Sequence, residues 1–247
     1  MKINKEGNIF TFGFASVMVV VVATLLSVAA ISLKPFQKLN EKQEKMQNIL
    51  KAIRVECSRK DSPIEFEKYV KQRLVLNYKA KIISEKTGTV DENDKNDGFN
   101  IDALKEYKSV TSDERNYPLY ICEKDGKDYY VVPMVGKGLW GPIWGFISIT
   151  DDFNTVYGAT FDHKSETPGL GSEINQGWFQ LPFRGERIFD ESDEFVSVKI
   201  VKGGADKNDM HGVDAITGGT ITSNAVSEMI ERTFKVYVPY LKKMQNN

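Results

Sequence analysis

The chain has 247 residues, enough for one well-buried domain and a membrane anchor but too few for two large domains. Its 33 basic and 34 acidic side chains are spread along its length, so no nucleic-acid partner is expected. Cys57 and Cys122 lie far apart and lack the clustered spacing of a zinc or iron–sulfur site. They could pair in an oxidising compartment, and two unpaired thiols are the simpler interpretation.

The first predicted element is a membrane-spanning helix. No charged residue occurs between Glu6 and Lys34, and the apolar run 9–33 is long enough to cross a hydrocarbon layer of about 30 Å. The apolar core of a signal peptide has only about 7–15 residues, so an uncleaved anchor is favoured. We therefore assign residues 9–33 to the span, which follows the N-terminal residues 1–8. Lysines flank the span on both sides, and the positive-inside rule leaves its orientation open.

Residues 34–117 are expected to hold a juxtamembrane helix and a variable region. Pro35 is predicted to interrupt the helical pattern. Phe36, Leu39, Met46, Leu50 and Ile53 then follow steps of three and four residues, with the polar Gln43 filling the gap between Leu39 and Met46, and this pattern predicts an amphipathic helix. Its stripe could pack on the protein's own domain or on a neighbouring subunit. The polar stretch 87–100 is predicted to be a surface loop.

Residues 118–247 are assigned to one domain built mainly from short strands. Runs rich in β-branched and aromatic residues alternate with turn signals such as Asp125-Gly126, which favours an antiparallel meander. A further strand is expected over 195–201, and 225–241 has the periodicity of a closing helix. The predicted fold class is therefore α+β, an antiparallel sheet with flanking helices.

Segment 214–223 (DAITGGTITS) places two glycines and four hydroxyl side chains directly before that helix. A helix N-terminus offers free N–H groups and a partial positive charge, and glycines let the backbone approach an anion closely. The segment is therefore a candidate phosphate site, although hydroxyl residues at this position also serve as helix caps. It lacks the Gly-Lys-Ser/Thr ending of a P-loop.

The same segment resembles the flavinylation signature of the FMN-binding domain family. Asp214, Thr217, Gly218 and Thr220 match that signature in order, Gly219 stands where alanine is usual, and Thr222 and Ser223 follow. The resemblance implies that FMN is esterified through its phosphate to Thr220, with Asp214 recognised by the transferase that attaches it. Thr217, Gly218, Gly219 and Thr222 would surround the phosphate, with Thr222 or Ser223 as the helix cap.

Two glycine-rich segments are candidates for contacts with the flavin ring. Segment 166–171 (ETPGLG) combines a Pro-Gly turn with a second glycine, and segment 136–145 (GKGLWGPIWG) pairs glycines with two tryptophans. A structural turn and a packed core are the alternatives. The candidate contacts are Trp140, Gly141, Glu166, Thr167, Gly169, Leu170 and Gly171. His163 and His211 lack metal-binding spacing, and we predict no metal site and no catalytic residue.

The anchor and the three segments, in this order, resemble the C subunits of sodium-pumping NADH:quinone oxidoreductases. The resemblance implies an electron-relay subunit in the bacterial inner membrane. Residues 1–8 would be its cytoplasmic N-terminus, and residues 118–247 would form a periplasmic FMN-binding domain. Its partners would be the other subunits, the lipid bilayer and a flavin transferase. The alternatives are the G subunit of the Rnf ferredoxin:NAD oxidoreductase and an anchored binding or assembly module without flavin.

Overall fold

The computed structural model describes residues 7–246 and begins with one long helix, α1 (Asn8–Ala52). Its described residues up to Lys45 form one unit, and the chain from Met46 onward forms a second. By length and composition α1 can cross a membrane, with a mean hydropathy of 2.6 in its most apolar window and no residue of that window buried. Residues 1–6 of the expected cytoplasmic N-terminus lie outside the described residues.

The predicted interruption at Pro35 is wrong, because α1 continues through this residue. Proline removes one helical hydrogen bond, but its fixed φ is compatible with a helix, so a long helix tolerates it at a cost. The apolar residues predicted to form a stripe after Pro35 fall into an exposed group and a buried group. Phe36 and Leu39 are exposed, whereas Met46, Leu50 and Ile53 are buried in the second unit. Only the last turns of α1 therefore belong to the domain core.

The second unit is built on a six-stranded antiparallel sheet, which confirms the predicted fold class. The strand order is β2-β1-β3-β4-β5-β6, so β3 to β6 form the expected meander. The strands are β1 (Val70–Leu76), β2 (Ile82–Thr87), β3 (Tyr117–Lys124), β4 (Lys127–Lys137), β5 (Pro142–Ile149) and β6 (Val156–His163). The pattern of the sequence did not reveal β1 and β2, which lie in the region expected to be variable.

Each face of the sheet has its own hydrophobic core, because successive side chains of a strand point to opposite faces. Val132 belongs to the core under the C-terminal helix, and its neighbour Val131 belongs to the core under the end of α1. That end seats closely on the sheet, where Ser148 Oγ donates to the Ala52 carbonyl at 2.6 Å. A side chain at Gly158 would collide with the same carbonyl, so glycine is required for this approach.

Short helices α2 (Ser62–Tyr69) and α3 (Ala103–Ser109) flank the first strands. The predicted surface loop 87–100 is wrong at both ends. Thr87 closes β2, and Asp97 and Phe99 are buried. Asp97 pairs with the buried Arg73 of β1 at 2.8 Å, an interaction that a polar sequence stretch does not reveal.

The chain after β6 contains mostly turns and ends in the helix α5. Two 3₁₀ turns (Gly171–Asn175 and Leu181–Phe183) enclose the short helix α4 (Gly177–Gln180). Then β7 (Lys199–Val201) and β8 (Gly212–Asp214) pair in parallel, and α5 covers Thr220–Gln245. The strand predicted over 195–201 is shorter, because Ser197 has a left-handed φ of 64° that breaks the extended run.

Candidate functional site

The first component of the candidate site is the turn at the start of ETPGLG, which follows β6. Leu170 N–H donates to the Thr167 carbonyl at 3.1 Å, and Gly169 between them has a φ of 75°. Proline at the second and glycine at the third position are the residues that a type II turn favours. Thr167, Gly169 and Leu170 are all exposed, and the predicted turn is present.

The second component is the entrance to α5. Gly219 N–H donates to the Ile216 carbonyl at 2.9 Å, and Gly218 has a φ of 76°, so the chain makes another tight turn directly before the helix. Thr220 is the first helical residue and is half-buried. Asp214 closes β8, and its Oδ1 accepts a hydrogen bond from Ala205 N–H at 2.8 Å.

The third component is the hairpin turn between β4 and β5. Gly138 N–H donates to the Gly141 carbonyl at 2.8 Å, and the two residues between them, Leu139 and Trp140, are exposed. A side chain at Gly141 would meet Ser165 Oγ at 2.5 Å, so this hairpin lies against the chain that enters ETPGLG. Trp144 is partly buried on β5, as its interpretation as a packing residue requires.

One buried carboxylate joins the three components. Glu166 Oε1 accepts a hydrogen bond from Trp140 N–H at 2.8 Å, and Oε2 accepts one from Thr222 Oγ1 at 2.6 Å. The Glu166 N–H in turn donates to His163 Nδ1 at 3.1 Å. The hairpin, the turn and the first turn of α5 are thus held together at Glu166, which is 4% exposed.

Leu170 provides a second contact between the turn and the helix entrance. A side chain on Gly218 would meet Leu170 Cδ2 at 2.7 Å, and one on Gly219 would meet Ile216 Cγ2 at 2.9 Å. The space around both glycines is therefore nearly filled. Glycine at 219, where the family pattern has alanine, matches this close contact with Ile216.

The four hydroxyl side chains at the helix entrance divide into two pairs. Thr222 donates to Glu166, and Ser223 Oγ accepts a hydrogen bond from Ile216 N–H at 3.1 Å. Within residues 7–246, the hydroxyls of Thr217 and Thr220 make no hydrogen bond. The predicted cap at Thr222 or Ser223 is wrong: α5 begins at Thr220, so both residues lie inside the helix, and the N-cap is Gly219, without a side-chain cap.

These residues fit an FMN group. The N–H groups of the first turn of α5 have no helical partner, which suits a phosphate. Apolar side chains lie exposed at the same loops, at 66% for Trp140, 41% for Leu170 and 59% for Ile221. Such side chains suit a flat aromatic ring.

The remaining residues singled out in the sequence are the histidines and the cysteines. No cluster of metal-ligating side chains occurs among the described residues. His211 lies away from the three loops, with Nδ1 at 2.7 Å from the Arg187 carbonyl. Cys57 and Cys122 are both free, and burial raises the pKa of each thiol. Sequence reasoning missed the joining role of Glu166, since nothing in a single sequence shows which groups a carboxylate will accept from.

The family model described as an FMN-binding domain matches residues 138–235, a range that contains the hairpin turn, ETPGLG and the entrance to α5. Together with the geometry of these loops, this match defines the class: the protein is a flavoprotein with an FMN-binding domain.

Similar proteins narrow the class further. The C subunit of the Na⁺-translocating NADH-quinone reductase from Vibrio campbellii is 30% identical, over 100% of this chain and 98% of the relative. The corresponding C subunit from Neisseria meningitidis is also 30% identical, over 96% and 95%. The crystal structure of the C subunit from Parabacteroides distasonis matches with a TM-score of 0.74 at 38% identity, covering 85% of this chain and 96% of that one.

The chain therefore belongs to the family of C subunits of Na⁺-translocating NADH-quinone reductases. It is part of a translocase complex, and the resemblance seen in the sequence is confirmed.

Proposed function

We propose that Thr220 carries FMN through a phosphoester and that the protein relays electrons within the sodium-pumping complex. The observation that carries the proposal is the position of the Thr220 hydroxyl. It lies on the first residue of α5, half-buried and without a hydrogen bond in the described part of the chain, where free N–H groups stabilise negative charge. Thr217 also has an unengaged hydroxyl, but it precedes the helix by three residues and is exposed.

The β4–β5 hairpin turn, the ETPGLG turn and the entrance to α5, together called the three loops, would hold the FMN group. The first-turn N–H groups of α5 bind the phosphate, and Gly218 and Gly219 allow the tight turn that brings the chain to this helix entrance beside Leu170 and Ile216. Trp140, Leu170 and the Thr167–Gly169 turn offer the surface for the ring. When bound, FMN supplies one- and two-electron redox chemistry, and the protein's task is to orient the ring.

A flavin transferase that uses FAD and a divalent metal would make the bond. Attachment replaces the Thr220 O–H bond by an O–P bond to the FMN half of FAD, and AMP leaves with the proton. We assign Asp214 to recognition by this enzyme, because it is exposed at the end of β8. A covalent bond prevents loss of the cofactor by dissociation outside the cytoplasmic FMN pool.

The same proposal places α1 across the bacterial inner membrane and the FMN-binding domain in the periplasm, in contact with other subunits of the reductase. The apolar α1 supports the anchor, and the attachment chemistry supports the periplasmic side. Reporter fusions at the C-terminus test the topology: activity of a periplasmic reporter is expected, and activity of a cytoplasmic reporter alone would exclude it.

Peptide mass spectrometry of protein coexpressed with a flavin transferase tests the attachment. FMN is expected on the peptide with Thr220, and Thr220→Ala should abolish covalent flavin while the domain stays folded. Thr217→Ala is the matched control, since it removes the other unengaged hydroxyl and should keep the flavin. FMN on Thr217, or flavin retained by Thr220→Ala, would refute the assignment.

A further inference from the structure

Glu166 is buried without a cationic partner. Its two oxygens accept from Trp140 N–H and Thr222 Oγ1, and no ion pair involves it in residues 7–246. Burial costs the carboxylate its hydration free energy, and hydrogen bonds from two neutral donors recover little of that cost. What the arrangement does achieve is a fixed distance between the β4–β5 hairpin and the helix that bears Thr220.

Two glycines make this arrangement possible. A side chain at Gly138 would meet Glu166 Oε1 at 2.6 Å, and one at Gly171 would meet Glu166 Oε2 at 2.7 Å. Both backbones therefore press against the carboxylate. The sequence predicts Gly171 as a flavin contact, but the atoms that this glycine makes room for belong to Glu166 and Thr222.

We propose that Glu166 and Thr222 are positioning residues rather than flavin contacts. Their hydrogen bond fixes the first turn of α5, two residues after the attachment site, against the hairpin turn that presents Trp140. The inference rests on the proposed attachment at Thr220, and it assigns one ring orientation to the attached flavin. The chemistry requires an acceptor for Trp140 N–H and a partner for the Thr222 hydroxyl, which a glutamine side chain can also supply.

Variants separate this role from a general contribution to stability. Glu166→Ala and Thr222→Val each remove the bond between the loops, whereas Glu166→Gln and Thr222→Ser retain donor and acceptor groups of nearly the same shape. Gly177→Ala is the control for an added methyl group, since nothing lies within 4 Å of that position. Gly138→Ala should resemble Glu166→Ala, because its methyl group displaces the carboxylate.

The first measurement uses the full chain without flavin, in detergent, and follows hydrogen exchange of the Trp140 amide. Exchange should be about tenfold faster in Glu166→Ala and Thr222→Val, close to wild type in the glutamine and serine variants, and unchanged in Gly177→Ala. Equal exchange in Thr222→Val and wild type would overturn the proposal. This outcome does not depend on whether flavin is attached.

The second measurement uses protein with mass-verified FMN on Thr220. The visible circular dichroism of the flavin should weaken in Glu166→Ala and Thr222→Val, and the conservative variants should restore it. Should Glu166→Ala fail to fold, the pair Thr222→Val and Thr222→Ser gives the same comparison. An identical flavin signal in both members of this pair would refute the positioning role, whereas absence of flavin from wild-type protein would refute only the proposed function.

Discussion

The two faces of the sheet hold their buried carboxylates in opposite ways. Under the end of α1, Asp97 faces the guanidinium of Arg73, with oxygens 2.8 to 3.0 Å from Nε and Nη2, and the two side chains are 2% and 1% exposed. On the side of α5, Glu166 accepts from the neutral donors Trp140 N–H and Thr222 Oγ1 and has no cationic partner within residues 7–246. The first arrangement compensates charge within a closed core, and the second joins exposed loops.

The difference separates stability from cofactor geometry. Arg73 also donates to the Gly88 carbonyl at 2.6 Å, so the ion pair fixes the loop after β2, far in sequence from the flavin loops. Glu166 lies between segments that leave apolar side chains exposed. We therefore expect substitutions under α1 to change the free energy of unfolding, and substitutions around Glu166 to change the flavin signals.

The largest effect should come from breaking the buried ion pair. Arg73→Met leaves Asp97 as an uncompensated buried charge, and the unfolding free energy should fall by about 3–5 kcal/mol. Urea unfolding of the domain measures the loss. The double variant Arg73→Met with Asp97→Leu should recover much of it, because two apolar side chains need no compensation. A single variant with wild-type stability would contradict this account of the ion pair.

A second test concerns the end of α1. Leu50 is fully buried in the core under α1, so Leu50→Ala should cost about 2–5 kcal/mol in a chain that begins at Lys34. Leu39→Ala in the same chain is the matched control: this leucine is 50% exposed, and its replacement should leave the urea midpoint unchanged. Similar losses in both variants would show that the earlier turns of the helix also support the domain.

These two regions also differ in how far the sequence predicts them. The meander was predictable because β3 to β6 are runs rich in β-branched and aromatic residues bounded by turn signals, and Pro168-Gly169 indicated the turn that follows β6. The ion pair was not, because Arg73 and Asp97 are ordinary surface residue types whose pairing depends on tertiary contacts. The engagement of Thr222 by Glu166 was equally hidden, and hydroxyls before a helix suggested caps instead.

A third test addresses the turn against the helix entrance. Leu170→Ala removes the side chain that lies over Gly218 and should shift the visible spectrum of attached flavin, while attachment on Thr220 persists. Because Leu170 is 41% exposed, the unfolding free energy should change by less than about 1 kcal/mol. Leu181→Ala is the control, similarly exposed but outside the three loops. If Leu170→Ala and Leu181→Ala have the same visible flavin spectrum, ETPGLG is a structural turn without a flavin contact.

Glu186 is a third carboxylate of interest, and it is only partly buried. Among the described residues its Oε2 has no hydrogen-bond partner, and Gly212 N–H is a backbone donor to its carboxylate. Burial, aided by the charge of Asp209, raises the pKa of Glu186 from 4.5 to about 7. Between pH 4.5 and 7 the folded chain therefore keeps a proton on Glu186 that the unfolded chain loses. The contribution of protonated Glu186 to the free energy of unfolding is fully present below pH 4.5 and is lost as the pH rises through 7.

The last predicted effect depends on pH and follows from this pKa. Glu186→Gln cannot lose a proton, so relative to wild type the variant should gain stability as the pH rises from 4.5 to 7, with the difference constant above that range. Urea unfolding at several pH values measures it. Asp209→Asn, which removes the neighbouring charge, should lower the pKa of Glu186 and narrow this pH window. If the unfolding free energies of Glu186→Gln and wild type change with pH in the same way, Glu186 has the same pKa in the folded and the unfolded chain, and the prediction is wrong. The flavin spectrum should not change, because Glu186 lies outside the three segments of the candidate site (136–145, 166–171 and 214–223), whereas Thr222→Val should change it at every pH.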